Sequence, residues 1–308
     1  PTRRSSDLLV TRSDFDGLVC AVLLKSKKLI EEIKFVHPKD MQDGLIAISS
    51  EDITTNLPYV DGVHLAFDHH YSETIRVGQR ENYIIDPDAR STARVVYDHF
   101  GGADAFPQVT QEMMRAVDKG DSADFTKDEV LHPEDWNLLN FIMDARTGLG
   151  RFRNFRISNY QLMMDLIDYC IDHSIEDILK LPDVAERVEL YLEHQEKFQE
   201  QLRSVAEVRG KVLLVDFRSQ DTIYAGNRFV KYALFPDTNV SVQVIWGFKR
   251  QNTVLTVGKS IFDRSCSENI GHLMLQYGGG GHAKAGTCQV PNDKAESVLR
   301  DVIAALSA

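Results

Sequence analysis

Apolar residues in the first part of the chain come in short blocks separated by acidic and polar clusters. Leu9-Val10-Thr11 reads as a strand, the run from Leu18 to Leu29 opened by Gly17 reads as a helix, and Ile33-Lys34-Phe35-Val36-His37 reads as a second strand. Strand, helix and strand in such short compass mark a parallel βαβ unit. Leu45-Ile46-Ala47-Ile48 and Val63-His64-Leu65-Ala66-Phe67 are expected to add two more strands. Ser91-Thr92 offers hydroxyls at the start of a helix over 93–97. From about 108 to 180 the spacing is mostly helical, and 183–207 is a charged amphipathic stretch that reads as a connecting helix. Beyond it, strands are expected at 211–216, 240–248 and 253–257, and helices near 267–276 and 293–306. The expected fold is α/β. A parallel-sheet domain covers 9–182, the connecting helix 183–207, and a smaller mixed α/β domain 208–308.

Residues 1–8 have no hydrophobic period and match the translation of a common sequencing-adapter primer. They are expected to be an adapter-derived scar outside the fold.

A length of 308 residues suits two domains, and 43% hydrophobic with 26% charged residues excludes disorder as the main state. No run of 18 apolar residues exists, so no membrane-spanning helix is expected. Cys20, Cys170, Cys266 and Cys288 are far apart and form no CxxC pair. That argues against a zinc cage or a disulfide framework and points to a reduced, cytoplasmic setting. The net charge of −11 argues against a broad basic face for duplex DNA. A polyanionic partner must then be gripped by metal ions or by a local basic cleft.

The candidate chemistry sits at strand ends. Asp14-Phe15-Asp16-Gly17 follows the first strand. In an extended segment residues two apart share a side, so both carboxylates would converge beyond the carboxyl end of a parallel strand, where open α/β sheets bind ligands. Asp68-His69-His70 follows the strand ending at Phe67, Asp52 follows a third expected strand, and Asp118 and Asp121 follow a helix. Each Asp taken singly reads as a cap or a turn; together with the two imidazoles they favour a metal cluster. Carboxylates and imidazoles without thiolates suit Mn²⁺ or Mg²⁺ better than structural zinc. Far downstream, four glycines, Gly278 to Gly281, precede His282 and would let the backbone approach an anion. Arg264 and Lys259 lie upstream of them.

Asp14-x-Asp16-Gly17, Asp68-His69-His70 and the run of glycines ending in His282 together resemble the DHH phosphoesterase superfamily, in the branch with the DHH-associated C-terminal domain. The resemblance covers about residues 9–308, and Asn56-Leu57-Pro58-Tyr59 is similar to a sub-branch labelled exopolyphosphatase-related. It implies a hydrolase with two divalent cations, Mn²⁺ first and Mg²⁺ as the alternative, that activate a water. Carried over, Asp14 and Asp16 are ligands to different ions and Asp52 is the bridging ligand. His69 is a ligand, and so is Asp121, with Asp118 as its substitute. His70 points to the substrate phosphate, and Asp68 orients a histidine from behind. Arg264 and His282, with Gly279, Gly280, Gly281 and Lys259, grip the substrate from the second domain across a cleft. Two positions depart from the pattern. Val10 stands where many members carry His, and Arg12 where another branch carries Asp. One ion is then weakly held, or Arg12 replaces it with a fixed positive charge. The expected substrate is a short phosphodiester or phosphoanhydride, such as an oligoribonucleotide or nucleotide-like molecule. An exopolyphosphatase and a degenerate nucleotide-binding protein without turnover are the alternatives. Nothing in the sequence speaks against an oligomer.

Overall fold

The computed structural model of the chain describes residues 6–152 and 154–307. Residues 1–5 of the expected scar therefore lie outside the described residues. The first strand, β1 (Ser6–Arg12), starts further back than the apolar block at Leu9 suggests and takes in the last residues of that segment.

Two compact units are present. One comprises the chain through Phe125 together with Pro133–Glu189; the other comprises Thr126–His132 together with the chain from Leu190.

In the first unit β1 pairs with β2 (Ile30–Val36) and β3 (Asp52–Thr55), and β4 (Leu65–Asp68) joins β3 to β5 (Tyr83–Ile85). All pairs are parallel, in the order β2-β1-β3-β4-β5. The strand order reverses between β1 and β3, and the crevice beyond their carboxyl ends is where such sheets hold ligands. Helix α1 (Phe15–Ser26) is buried from Phe15 through Leu24, as an all-round apolar helix must be. The unit also contains α2 (Pro38–Gln42), α3 (Tyr71–Arg76), α4 (Thr92–His99) and α5 (Gln111–Ser122).

The expected strand at 45–48 is absent. Gly44, at φ +69°, turns the chain after α2 and leaves Leu45 exposed, while Ile46 and Ile48 pack against Val10 and its neighbours. The strand is instead Asp52–Thr55, buried along its whole length. Its polar side chains are accommodated by cross-strand bonds: Thr55 Oγ1 donates to Thr11 Oγ1 at 2.7 Å, and Thr11 Oγ1 to the Thr55 carbonyl at 3.2 Å.

Further along are α6 (Lys127–Leu131), α7 (Asp135–Met143), α8 (Asn159–Asp172), α9 (Ile175–Ile178) and α10 (Pro182–Val205). Of these α6 belongs to the second unit and α10 passes from one unit into the other. The expected connecting helix ends slightly early, because Ala206–Arg209 forms strand β6. Strands β7 (Val212–Asp216), β8 (Val240–Trp246), β9 (Thr253–Lys259), β10 (Gly280–His282) and β11 (Ala285–Val290) complete a mixed sheet in the order β10-β11-β9-β8-β7-β6. Only β7 and β8 run parallel. Alternating residues Val240, Val242 and Val244 face a core that also contains Ile270 of α12 (Ile270–Leu275) and Leu299 and Val302 of α13 (Ala295–Leu306). Helix α6 packs on α11 (Val230–Leu234), and Asn227 Nδ2 donates to the Val130 carbonyl at 2.8 Å and to Tyr191 Oη at 2.9 Å. The fold is α/β, as the patterning indicates. Among the described residues no helix is long and apolar enough to cross a membrane.

Candidate active site

The turn from β1 into α1 brings the first two acidic residues to the carboxyl end of the sheet. Asp14 is the N-cap of α1, and its Oδ1 accepts from the Gly17 amide at 3.0 Å. A Cβ on Gly17 would lie 2.0 Å from the Arg12 carbonyl oxygen, so only glycine lets α1 start this close to the strand. The pair is not extended. Asp16 lies in the first helical turn and takes partners different from those of Asp14. Its two oxygens accept from the amides of Thr92, at 2.9 Å, and Ala93, at 2.7 Å, and so cap α4.

Asp68 organises the next stretch. Its Oδ1 accepts from the His69 amide at 2.8 Å and lies 2.7 Å from His70 Nδ1; its Oδ2 accepts from Tyr83 Oη at 3.0 Å. His69 Nδ1 is 3.2 Å from the Ala89 carbonyl, which can only accept, so Nδ1 carries the proton and Nε2 is turned inward. His69 Nε2 is buried, has no hydrogen-bond partner among the described residues, and lies 3.0 Å from Asp121 Oδ2. One ligand atom from each of Asp16, His69 and Asp121 lies within 4.8 Å of the others. A buried imidazole nitrogen facing two carboxylates suits a divalent cation of the Mn²⁺ or Mg²⁺ type.

The charges in this cluster hold one another out of their ordinary ranges. Burial, reinforced by the Asp121 and Asp14 carboxylates, pushes Asp16 up to about 7. Burial disfavours a charged His69, but the Asp121 carboxylate and then Asp16 outweigh it and raise its pKa to about 9. Burial would raise Asp121 as well; His69, His70 and Arg12 overcome it and hold that carboxyl below its usual value.

Two expected ligands stand elsewhere. Asp52 is the first residue of β3, level with Leu8, whereas the carboxyl end is at Thr55, level with Thr11. It is thus about 10 Å back along the strand, and its Oδ2 accepts from the Ser49 amide at 2.6 Å, closing the turn before β3. The bridging role expected for it is not available there. The residue that does follow the end of β3 is Asn56, buried, with Nδ2 donating to Asp14 Oδ1 at 3.2 Å and Oδ1 without a partner among the described residues. Asp14 is not one of the three clustered ligands. Its Oδ2 is ion-paired with Arg12 Nε at 2.8 Å. Asp118, the substitute for Asp121, is committed to structure: it accepts from Ser91 Oγ at 2.8 Å and from Arg94 Nε and Nη2 at 3.1 and 2.6 Å. Neither Asn56 nor Arg146, whose charge also acts on Asp14 and Asp121, was singled out by the spacing of motifs. Asn56 was findable as the residue that ends a β-branched block; Arg146, in a short 3₁₀ turn at Ala145–Thr147, carries no local signal.

In the second unit the glycines form structure as well as a loop. Gly280, Gly281 and His282 pair with Thr287, Gly286 and Ala285. A Cβ on Gly279 would meet the Thr287 carbonyl at 2.1 Å, and one on Gly281, at φ +152°, the Ala285 carbonyl at 2.3 Å. Lys259 Nζ donates to the Cys266 carbonyl at 2.9 Å, and Arg264, exposed, donates from Nε to the Ile261 carbonyl at 3.2 Å.

No family model and no curated protein matches the chain. Among solved structures it is similar to a pGpG-specific phosphodiesterase, PggH from Vibrio cholerae, with a TM-score of 0.87 and 59% identity over 97% of this chain and 98% of that one. It is similar in fold to the DHH domain of a member of the S1P family of ribosomal proteins, with a TM-score of 0.61 and 10% identity over 98% of this chain and 87% of that one. It is similar in fold also to RecJ from Thermus thermophilus in complex with Mn²⁺, with a TM-score of 0.50 and 11% identity over 99% of this chain and 53% of that one. Identity of 59% along almost the whole of both chains, on a fold shared with DHH-domain proteins, makes this chain a member of the DHH superfamily of phosphoesterases.

Proposed function

We propose that the protein is a divalent-cation-dependent phosphodiesterase that cleaves linear dinucleotides, pGpG foremost, into mononucleotides. The observation that carries this reading is the convergence of Asp16, His69 and Asp121 at the switch point of a chain 59% identical to a pGpG-specific phosphodiesterase. Asp16, His69 and Asp121 would hold the cation. A divalent ion in that position supplies Lewis acidity toward a phosphate oxygen and makes a water acidic enough to attack at neutral pH.

The remaining work falls to the chain's own groups. Asp16 is fixed by the amides of α4, and His69 by the Ala89 carbonyl, so two of the three ligands are oriented in advance. Asp68 holds His70 by Nδ1 and, against the effect of burial, favours its charged form, in which Nε2 presents a proton to the substrate. That proton stabilises charge on the phosphate as the water oxygen bonds to phosphorus and the bond to the 3′-oxygen breaks; the water gives up a proton to solvent and the leaving 3′-oxygen takes one from it to become a hydroxyl. In the second unit, Arg264, His282 and Gly279–Gly281 are the residues we assign to nucleotide binding. Lys259 braces the segment that carries Arg264 through the Cys266 carbonyl.

The test is turnover of pGpG, pApA, cyclic di-GMP and polyphosphate, with Mn²⁺, with Mg²⁺ and after chelation. GMP released from pGpG only when a cation is present is the expected result. Phosphate release from polyphosphate with no GMP from pGpG would overturn the substrate assignment. Equal turnover of pGpG after chelation would overturn the cation.

A further inference from the structure

We propose that the site takes one divalent cation per chain, and that the Arg12 guanidinium supplies the positive charge a second ion would bring. The inference rests on the cation reading above and concerns the number of ions.

Asp14 is the carboxylate that would have to anchor a second ion, and its surroundings do not fit one. Oδ1 accepts from the Gly17 amide at 3.0 Å and from Asn56 Nδ2 at 3.2 Å, and Oδ2 is 2.8 Å from Arg12 Nε. All three neighbours present hydrogens, whereas a cation needs lone pairs. Asn56 stands at the end of β3, beside the end of β1, where a carboxylate could be shared between two ions. It brings an uncharged amide instead, with its nitrogen turned to Asp14. Among the described residues, Asp16, His69 and Asp121 are the one group of three or more His, Cys, Asp or Glu placed to share an ion. A doubly charged ion on Asp14 would also sit against a guanidinium that is charged at every working pH.

Arg12 is well placed for the role. It closes β1 at the switch point and is half-buried; its charge acts on Asp121 as well as on Asp14. Nη1 and Nη2 have no partner among the described residues. They can donate to a phosphate oxygen while Nε stays with Asp14, the forked geometry that suits arginine to phosphate.

The test counts ions. Chelator-treated full-length protein is titrated with MnCl₂ by calorimetry and by electron paramagnetic resonance. One Mn²⁺ per chain is expected, with the spectrum of an isolated ion. Two ions per chain with a spin-coupled spectrum would overturn this proposal and leave the cation reading standing. No binding of Mn²⁺ or Mg²⁺ would overturn the cation reading and this proposal with it. The double variant Arg12→Asp with Asn56→Asp is expected to gain a second ion; a folded double variant that still binds one ion would refute the account of why the second is missing. Arg12→Ala should keep one ion and lose about 10²–10³-fold in kcat on pGpG, with partial recovery in Arg12→Lys. An Arg12→Ala enzyme as fast as the parent would also overturn the proposal.

Discussion

The backbone amide of Ala93 donates to Asp16 Oδ1 at 2.7 Å across 77 residues of sequence. With the matching bond from Thr92, one carboxylate caps the amino end of α4 and also faces His69 and Asp121. Asp16→Ala should therefore fail twice. Calorimetry should detect no Mn²⁺ binding, and urea unfolding without metal should show a loss of about 1–2 kcal/mol, the scale of a lost helix cap. Normal Mn²⁺ affinity in that variant would remove Asp16 from the ligand set.

Asp118 and Asp121 lie one turn apart on α5 yet should respond in opposite ways. Asp121→Asn should lose Mn²⁺ and keep its melting temperature. Asp118→Asn should keep Mn²⁺ and lose about 1.5–3 kcal/mol, because its bonds to Arg94 and Ser91 are charge-assisted and largely buried. Thermal melts beside metal titrations separate the two; a swap of phenotypes would exchange their roles.

Mn²⁺ affinity should rise with pH. Without an ion His69 titrates near 9, so below that pH it holds a proton that must leave before Nε2 can ligate. Asp16, near 7, adds a second proton on the acid side. Affinity should then fall about tenfold per unit on going from pH 9 to pH 7 and more steeply below 7. Calorimetry in buffers of different ionisation enthalpy counts the released protons directly. A flat affinity between about pH 6.5 and 8.5 would contradict this coupling.

Asp68 touches the ring of His70 and only the backbone of His69. Asp68→Ala should lower kcat about 10–100-fold and leave the number of bound ions unchanged. Loss of the ion would mean that Asp68 acts through His69.

Arg264→Ala should raise KM for pGpG with Mn²⁺ affinity unaltered, since it removes a substrate contact and no ligand. Steady-state kinetics on that variant with unchanged KM and kcat would take the second unit's grip out of the reaction.

The parts of the site that were legible in the sequence are those carried by short contiguous strings. Asp16, His69 and His70 belong to motifs that fold as one turn each. Asp52 and Asn56 show where legibility ends. Leu45 to Ile48 looks like a strand because it is apolar, yet the strand is Asp-Ile-Thr-Thr, whose hydroxyls are satisfied across to Thr11. A strand at 45–48 would put Asp52 beyond its carboxyl end, whereas the strand at Asp52–Thr55 puts that residue at its amino end. Asp118 against Asp121 could not be decided from spacing either, because the deciding partner, Arg94, comes from another helix. The conversion of Asp14-x-Asp16 from an extended pair to a helix start depends on Gly17 closing against the Arg12 carbonyl, a contact that no periodicity encodes.

The segment Thr126–His132 has a consequence for anyone who would cut this protein in two. The chain leaves the first unit after Phe125, lends α6 to the second, and returns at Pro133. Neither unit is therefore a single stretch of sequence. A fragment ending at Glu189 would carry α6 without the Asn227 and α11 surface that receives it. A fragment starting at Leu190 would expose that same surface to solvent. Shuffling of one unit onto a foreign partner, in the laboratory or by recombination, must match three junctions at once, after Phe125, after His132 and after Glu189, which ties the inheritance of the two units together.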